Sequence, residues 1–286
     1  MDGNNILIRS IKAAERTGME ADGVSTGALL LFVNSLSRYA RELQPTRLIV
    51  CFDGGRSKYR LSIYDQYKSR RASHEGRDHP ESAFGLAKRF LTLVNIPYVE
   101  IEGVEADDLI AFYWRNKLED DRMFIVSGDH DFFQLLGDWT VQIDPGDHES
   151  WDAQRVERVL GCKPSNLPLV MALTGDKGDD IPGVPGIGTK TAVKMLARNN
   201  WDLGRTIAVE PKLHMKANKI MRNLSLVDLR TGYFSTKQSL SEPRPPLFDP
   251  ETKMGGPLSN FLTQYQLSSV MERLRDGRLW TVGTPD

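Results

Sequence analysis

Three short apolar runs in this chain each give way to acid. Leu48-Ile49-Val50-Cys51-Phe52 stops at Asp53, Met123-Phe124-Ile125-Val126 stops at Ser127-Gly128-Asp129, and Pro97-Tyr98-Val99-Glu100-Ile101 leads to Glu105. Helical patterns lie between them, at Gly27 to Glu42, Ala83 to Val94 and Ala106 to Leu118. Short apolar runs alternating with helices predict a buried, mostly parallel sheet flanked by helices, an α/β fold. In such sheets ligands bind beyond the carboxyl ends of the strands, so these acids should meet on one rim. A single aspartate there would be read as a helix cap or a turn residue. So many at once need another explanation.

Three acidic groups supply it. In Glu105-Ala106-Asp107-Asp108, Glu105 and Asp108 are three apart and share one helix face. In Gly128-Asp129-His130-Asp131, an Asp-x-Asp at a strand end directs both carboxylates to one side. Gly175-Asp176-Lys177-Gly178-Asp179-Asp180 is the third, and Asp53 and Asp2 stand alone. All-oxygen ligands suit magnesium or manganese, and no His/Cys spacing supports zinc. The acids exceed what one magnesium needs, so two ions about 4 Å apart are expected, the clamp used in phosphodiester hydrolysis.

The intervening segment is basic. Arg56, Lys58, Arg60, Lys68, Arg70 and Arg71 alternate with Tyr59, Tyr64 and Tyr67 between Asp53 and Pro80. Cations for phosphates and rings for bases suit a nucleic-acid strand. Lys68 and Arg71, three apart, are candidate catalytic cations facing a scissile phosphate. Arg56, Lys58, Arg60 and Tyr67 are candidate strand contacts.

From about Trp151 the strand-like runs vanish and helical patterns take over. We therefore place an α/β core at 1–150 and a helical region at 151–286, with a last helix at Leu258 to Leu274. Within it, Ile181-Pro182-Gly183-Val184-Pro185-Gly186-Ile187-Gly188-Thr189-Lys190 is not a P-loop, since Thr189 separates Gly188 from Lys190. It reads as a tight hairpin entering a helix near Thr189, with Gly183, Val184, Gly186, Gly188, Lys190 and Lys194 placed to hold a DNA backbone. Basic residues outnumber acids from Lys190 to Lys237. The net charge of −1 therefore hides a strong separation of charge.

Together these stretches resemble the phage and bacterial 5′ nucleases of the flap endonuclease family, including the nuclease domain of type-I bacterial DNA polymerases. The resemblance rests on Asp2-Gly3-Asn4-Asn5, Phe52-Asp53 with the basic tract, the acidic motifs at 105–108 and 127–131, and Gly175 through Ala192, in family order. It implies a PIN-like sheet, a helical arch at about 56–80 and a helix–three-turn–helix at about 180–200. It implies that Asp2, Asp53, Glu105 and Asp107 hold a first metal with Asp108 and Asp129 nearby, and that Asp131, Asp176 and Asp179 serve a second, sharing Asp129. Two Mg²⁺, with Mn²⁺ as a substitute, would be the cofactors, with K⁺ at the turn Gly183 to Gly188. The implied activity is a structure-selective 5′-3′ exonuclease and flap endonuclease on branched or 5′-ended DNA. The rivals are a PIN-like ribonuclease and a DNA-binding protein with an impaired nuclease site.

Two departures stand out. Asp180 occupies a position where the family often has Asn. The family also places an apolar strand before its first Asp-Gly-x-Asn, so the natural start is expected upstream of Met1, with Asp2 poorly held here. No polymerase region follows residue 286, which leads us to expect a free-standing enzyme. The longest apolar run, Ala28 to Val33, falls far short of the ~20 residues that span a bilayer. We expect a cytoplasmic monomer in a bacterial or phage-infected cell, working with replication proteins. Cys51 and Cys162 lack metal-type spacing and are expected to be buried free thiols.

Overall fold

A computed structural model describes residues 1–16, 18, 20–21, 24–70, 79, 81–230, 240, 242, 244–251 and 253–281. In chain order the elements are α1 (Gly3–Ala14), the two-residue strands β1 (Glu20–Ala21) and β2 (Val24–Ser25), α2 (Thr26–Leu43), β3 (Val50–Gly54), α3 (Lys58–Ile63), α4 (Ala83–Leu93), β4 (Tyr98–Glu102), α5 (Ala106–Arg115), β5 (Met123–Val126), β6 (Thr140–Ile143) and β7 (Ser150–Trp151). Then follow α6 (Ala153–Leu160), α7 (Leu167–Thr174), β8 (Gly175–Asp176), β9 (Ile181–Pro182), α8 (Thr189–Arg198), α9 (Leu203–Val209), α10 (Pro211–His214), α11 (Ala217–Val227), α12 (Gly256–Gln264) and α13 (Ser268–Arg275). Short 3₁₀ helices occupy His130–Leu135 and Pro164–Asn166. Among these elements no helix is long and apolar enough to cross a membrane.

The chain forms two compact units that alternate along the sequence. The first comprises Met1–Phe52, Ser73–Glu100 and Arg244–Asp286; the second comprises Asp53–Ala72 and Ile101–Pro243. Within the first, α1 packs on α2 through Ile6, Leu7, Leu29, Phe32 and Leu36, all fully buried. A Cβ at Gly3 would fall 2.6 Å from the Phe52 ring, so only glycine lets this helix approach so closely. Phe84 and Tyr98 meet Phe52 edge-on, and Phe90 meets Phe261 of α12. Burial of rings of this size dominates a core. Asp2 pairs in parallel with Cys51, and the Met1 carbonyl accepts from the Cys51 N–H at 2.9 Å.

The expected helix at Leu258 to Leu274 is two helices. It breaks at Gln266, whose φ is +55°, and the chain is capped by a Leu267 N–H to Leu262 carbonyl bond of 2.8 Å. That left-handed turn supplies the N–H partners a helix end otherwise lacks.

In the second unit β5 and β6 run parallel and β7 adds antiparallel. The helical core gathers Phe133, Val156, Leu173, Ala192, Leu196, Leu213 and Ile220, all buried. A smaller cluster sets Tyr67 against Ile181, Leu226 and Val227. Gly54 and Gly103 tie the two strand ends together: the Gly103 N–H donates to the Gly54 carbonyl at 2.6 Å and the Gly54 N–H to Val104 at 2.9 Å. Both cysteines are free and buried.

Candidate functional site

The acids of the second unit hang from strand ends and helix starts, where backbone N–H groups are free to hold them. Asp53, near the end of β3, accepts from the Ala106 N–H at the first turn of α5 at 2.8 Å. Glu105 takes the N-cap position of α5 yet makes no cap bond with its side chain, so its carboxylate faces elsewhere. Asp129 caps the 3₁₀ helix that follows β5, accepting from the Asp131 N–H at 2.9 Å. Asp176 closes the β8–β9 turn by accepting from Gly178 at 2.6 Å and Asp179 at 3.2 Å.

Carboxylate oxygens of Asp131, Asp176 and Asp179 lie within 4.8 Å of one another. An all-oxygen trio of this kind fits a hard divalent ion. The electrostatics point the same way. Burial raises Asp53 to about 7, and Asp107 adds to the rise while the Ala106 N–H opposes it. Burial also raises Asp129, with Asp107 next. Asp131 is pushed well above the usual range by burial and then by Asp129, Asp176 and Asp179. Neighbouring carboxylates thus add to the cost of charging Asp53, Asp129 and Asp131, the condition a bound cation relieves.

Cations and a phenol bind the cluster. Lys68 Nζ donates to Glu105 Oε1 at 2.7 Å and lies 3.6 Å from Asp179 Oδ2. The Tyr67 hydroxyl is 2.7 Å from Glu105 Oε2 and 3.0 Å from Asp179 Oδ2. Burial keeps the phenol far above its ordinary pKa, so it is a donor. One proton shared between two acceptors links the two acidic motifs.

Three expectations need correcting. Arg60 is not a strand contact: it is 2% exposed, with Nη1 at 2.8 Å and Nη2 at 2.9 Å from Asp108, Nη1 at 3.0 Å from Glu105, and Nε on the Leu226 carbonyl at 2.9 Å. Asp108, 1% exposed, is therefore occupied by a bidentate guanidinium rather than open to an ion. Burial opposes the Arg60 charge, but Asp108 and Glu105 outweigh it and hold the group well above its ordinary value. Tyr67 is fully buried and supports the acids instead of stacking on a base. Arg56 and Lys58 remain on the exposed side, Lys58 paired with Glu102 at 2.6 Å. The arch segment is described only to Arg70 and at isolated residues beyond it; Arg71 lies outside the described residues. Asp2 belongs to the first unit, where it is buried and caps α1 through the Asn5 N–H at 2.9 Å.

Two contributors, Gln142 and Lys219, escaped the sequence reading, and Asp180 gains a partner in the folded chain. Gln142 Nε2 donates to the Ser127 carbonyl at 2.7 Å and the Asp129 carbonyl at 2.8 Å, fixing the backbone of the Asp-x-Asp motif. A buried glutamine inside the apolar strand Thr140–Ile143 was its signal. Asp180 engages Arg70. Lys219 Nζ donates to the Gly183 carbonyl at 2.8 Å, a contact with no local sequence mark.

The hairpin joins α7 to α8 as expected. Gly186 has φ +77° and Gly188 takes the N-cap of α8 without a side-chain cap bond, leaving N–H groups for an anion. Lys190, Lys194 and Arg198, four apart, form the exposed face of α8, while Ala192 and Leu196 are buried. A Cβ at Gly183 would lie 2.0 Å from the Thr174 carbonyl oxygen. Gly183→Ala should therefore cost about 1–3 kcal/mol and weaken duplex binding. Gly188→Ala, with no atom within 4 Å of its Cβ, should melt like the parent. Urea unfolding and duplex titration of both variants check this.

A family model described as the 5′-3′ exonuclease N-terminal resolvase-like domain matches residues 1–161, and one described as the 5′-3′ exonuclease C-terminal SAM fold matches residues 162–234. The 5′-3′ exonuclease of Aquifex aeolicus (strain VF5) is 32% identical over 212 residues, which is 71% of this chain and 72% of that protein. DNA polymerase I of Rhizobium leguminosarum is 31% identical over 238 residues, 80% of this chain but 23% of the polymerase. Among solved structures, the bacteriophage T5 flap endonuclease in a complex with DNA and metal ions matches with a TM-score of 0.68 at 21% identity, covering 93% of this chain and 96% of that one. At that identity the likeness is one of fold.

Proposed function

The chain belongs to the 5′-3′ exonuclease family, and on that premise we propose that it is a metal-dependent, structure-selective 5′-3′ exonuclease and flap endonuclease, hydrolysing DNA phosphodiesters near free 5′ ends. The observation that carries the reading is the acidic trio Asp131, Asp176 and Asp179, beside four more carboxylates of the same unit. Asp131, Asp176 and Asp179 would hold one divalent ion and Asp53, Glu105 and Asp107 another, with Asp129 between them. Such ions, magnesium with manganese as a substitute, lower the pKa of a bound water and neutralise charge on phosphoryl oxygens.

The chain's own residues do the rest. Glu105 is kept in place by Tyr67, Arg60 and Lys68, so its carboxylate does not turn on substrate entry. Lys68 neutralises Glu105 and Asp179 in the resting protein, and its ammonium, 3.6 Å from Asp179, would meet a phosphate arriving at the trio. Arg71 is proposed to assist it. The N-terminus of α8 and its Lys190–Lys194 face would hold the duplex backbone without reading sequence. For the turn at Gly183 to Gly188, we place potassium only on carbonyls other than that of Gly183, which takes the Lys219 ammonium. Replication proteins and a bacterial cytoplasm fit this reading, with the protein acting as a monomer.

The test uses labelled 5′-flap, gapped, blunt and single-stranded DNA plus an RNA oligomer, each with magnesium and with chelator. Metal-dependent release of 5′-phosphorylated DNA from the flap is the expected result. Cleavage of RNA alone, or DNA cleavage undiminished by chelator, overturns the proposal.

A further inference from the structure

Asp180 is a non-glycine residue in the left-handed region, with φ +59°. Asp and Asn tolerate that conformation equally, so the backbone alone does not ask for a charge. The charge has a partner. The Asp180 carboxylate accepts from the Arg70 backbone N–H at 2.9 Å, from Arg70 Nε, and from Ser69 Oγ at 3.4 Å. Arg70 Nη2 reaches on to the Lys177 carbonyl at 3.2 Å. One residue earlier, the Lys68 N–H donates to the Asp179 carbonyl at 3.0 Å. Three consecutive residues of the basic segment are thus fastened to Lys177, Asp179 and Asp180 of the acidic loop.

Both segments matter to the site. The loop supplies Asp176 and Asp179 to the acidic trio. The segment supplies Tyr67 and Lys68, and Lys68 itself sits at φ +51°, a strained setting that persists only when neighbours hold it. Within its own segment Ser69 also donates its N–H to the Gln66 carbonyl at 3.1 Å, closing the turn that carries Lys68, whereas the Asp180 contacts tie that turn to the acidic loop. We propose that Asp180 and Arg70 form a positioning clasp that sets Lys68 against the acidic trio, and that the charge at position 180 serves this chain by holding Arg70 on the acidic loop. The proposal rests on the nuclease reading for its consequence in catalysis, but not for the clasp itself.

Asp180→Asn keeps the left-handed turn and one acceptor while removing the ion pair; Arg70→Gln removes it from the other side. Two measurements are made on the full chain. The first is amine labelling of Lys68 with acetic anhydride, read by mass spectrometry with exposed Lys58 as the internal standard. The second is kcat and KM on a 5′-flap substrate with magnesium. Each variant should raise Lys68 labelling severalfold and lower kcat about tenfold with KM near the parent's, and the double variant should be no worse than either single. Unchanged Lys68 labelling in both variants overturns the clasp. So does an Arg70→Gln effect confined to KM with Asp180→Asn at parental values, which would make Arg70 a DNA contact in its own right. If the parent cleaves nothing, the labelling still decides the clasp, and the nuclease reading fails separately.

Discussion

Asp131→Ala should cut cleavage of a 5′-flap substrate by about a thousandfold, roughly 4 kcal/mol of transition-state stabilisation, while leaving duplex affinity unchanged. The separation follows from where the two tasks sit. Asp131 lies with Asp176 and Asp179, whereas the DNA-backbone contacts are proposed for the hairpin and the α8 face. Parental cleavage by this variant in magnesium would remove the acidic trio from the mechanism.

The same substitution should leave the metal-free protein at least as stable as the parent. Ionising Asp131 is opposed by burial and by four neighbouring carboxylates, Asp129, Asp176, Asp179 and Asp107, so its removal relieves repulsion. Asp53 obeys the same rule over a window that can be named. Its carboxyl is raised to about 7 in the folded protein, against ~3.9 in an unfolded chain. Between those values the folded state binds more protons than the unfolded one, so stability falls as pH rises through the window and the penalty is complete above it. The chelated parent should melt progressively lower from about pH 5 to about pH 8. Magnesium should flatten the trend, because it binds the ionised carboxylates. Melting temperatures in chelator that do not move over this range would defeat the repulsion argument.

Arg60→Met should destabilise the second unit by about 3–5 kcal/mol, because it leaves Asp108 and Glu105 buried without their guanidinium. This is a stability effect, not a binding effect, and urea unfolding without DNA measures it. Adding Asp108→Leu should restore a large part of the loss. The double variant no longer strands a charge at 108, and Glu105 keeps Tyr67 and Lys68. A loss below about 1 kcal/mol for the single variant, with only KM raised, would return Arg60 to the DNA-binding surface.

Arg60 also shows where the sequence stops being legible. The strands, most helices and the acidic rim could be read because each leaves a local mark: an apolar run, a periodicity, or an Asp-x-Asp beside glycine. Which cations of an alternating basic tract turn inward leaves none. Arg56, Lys58, Arg60 and Lys68 look alike in one dimension, yet two are exposed and two are buried. The decision is made by Glu105 and Asp108, some 45 residues away, whose shared helix face cannot be buried without a guanidinium. Helix ends behave similarly. α5 stops at Arg115, short of Leu118, because Asn116 turns its side chain onto the Phe112 carbonyl at 2.8 Å. The break at Gln266 has no glycine or proline to announce it.

The alternation of the two units along the chain bears on how the protein is made. A ribosome completes the second unit once residue 243 has emerged, while the first still lacks its closing segment, Arg244–Asp286. Phe90 must wait for Phe261, Asn34 for Arg273, and Ser37 for the Leu279 carbonyl. The residues translated earliest are therefore among the last to be sealed. All residues of the acidic unit have then been made on a nascent chain whose amino-terminal helices still lack their closing contacts.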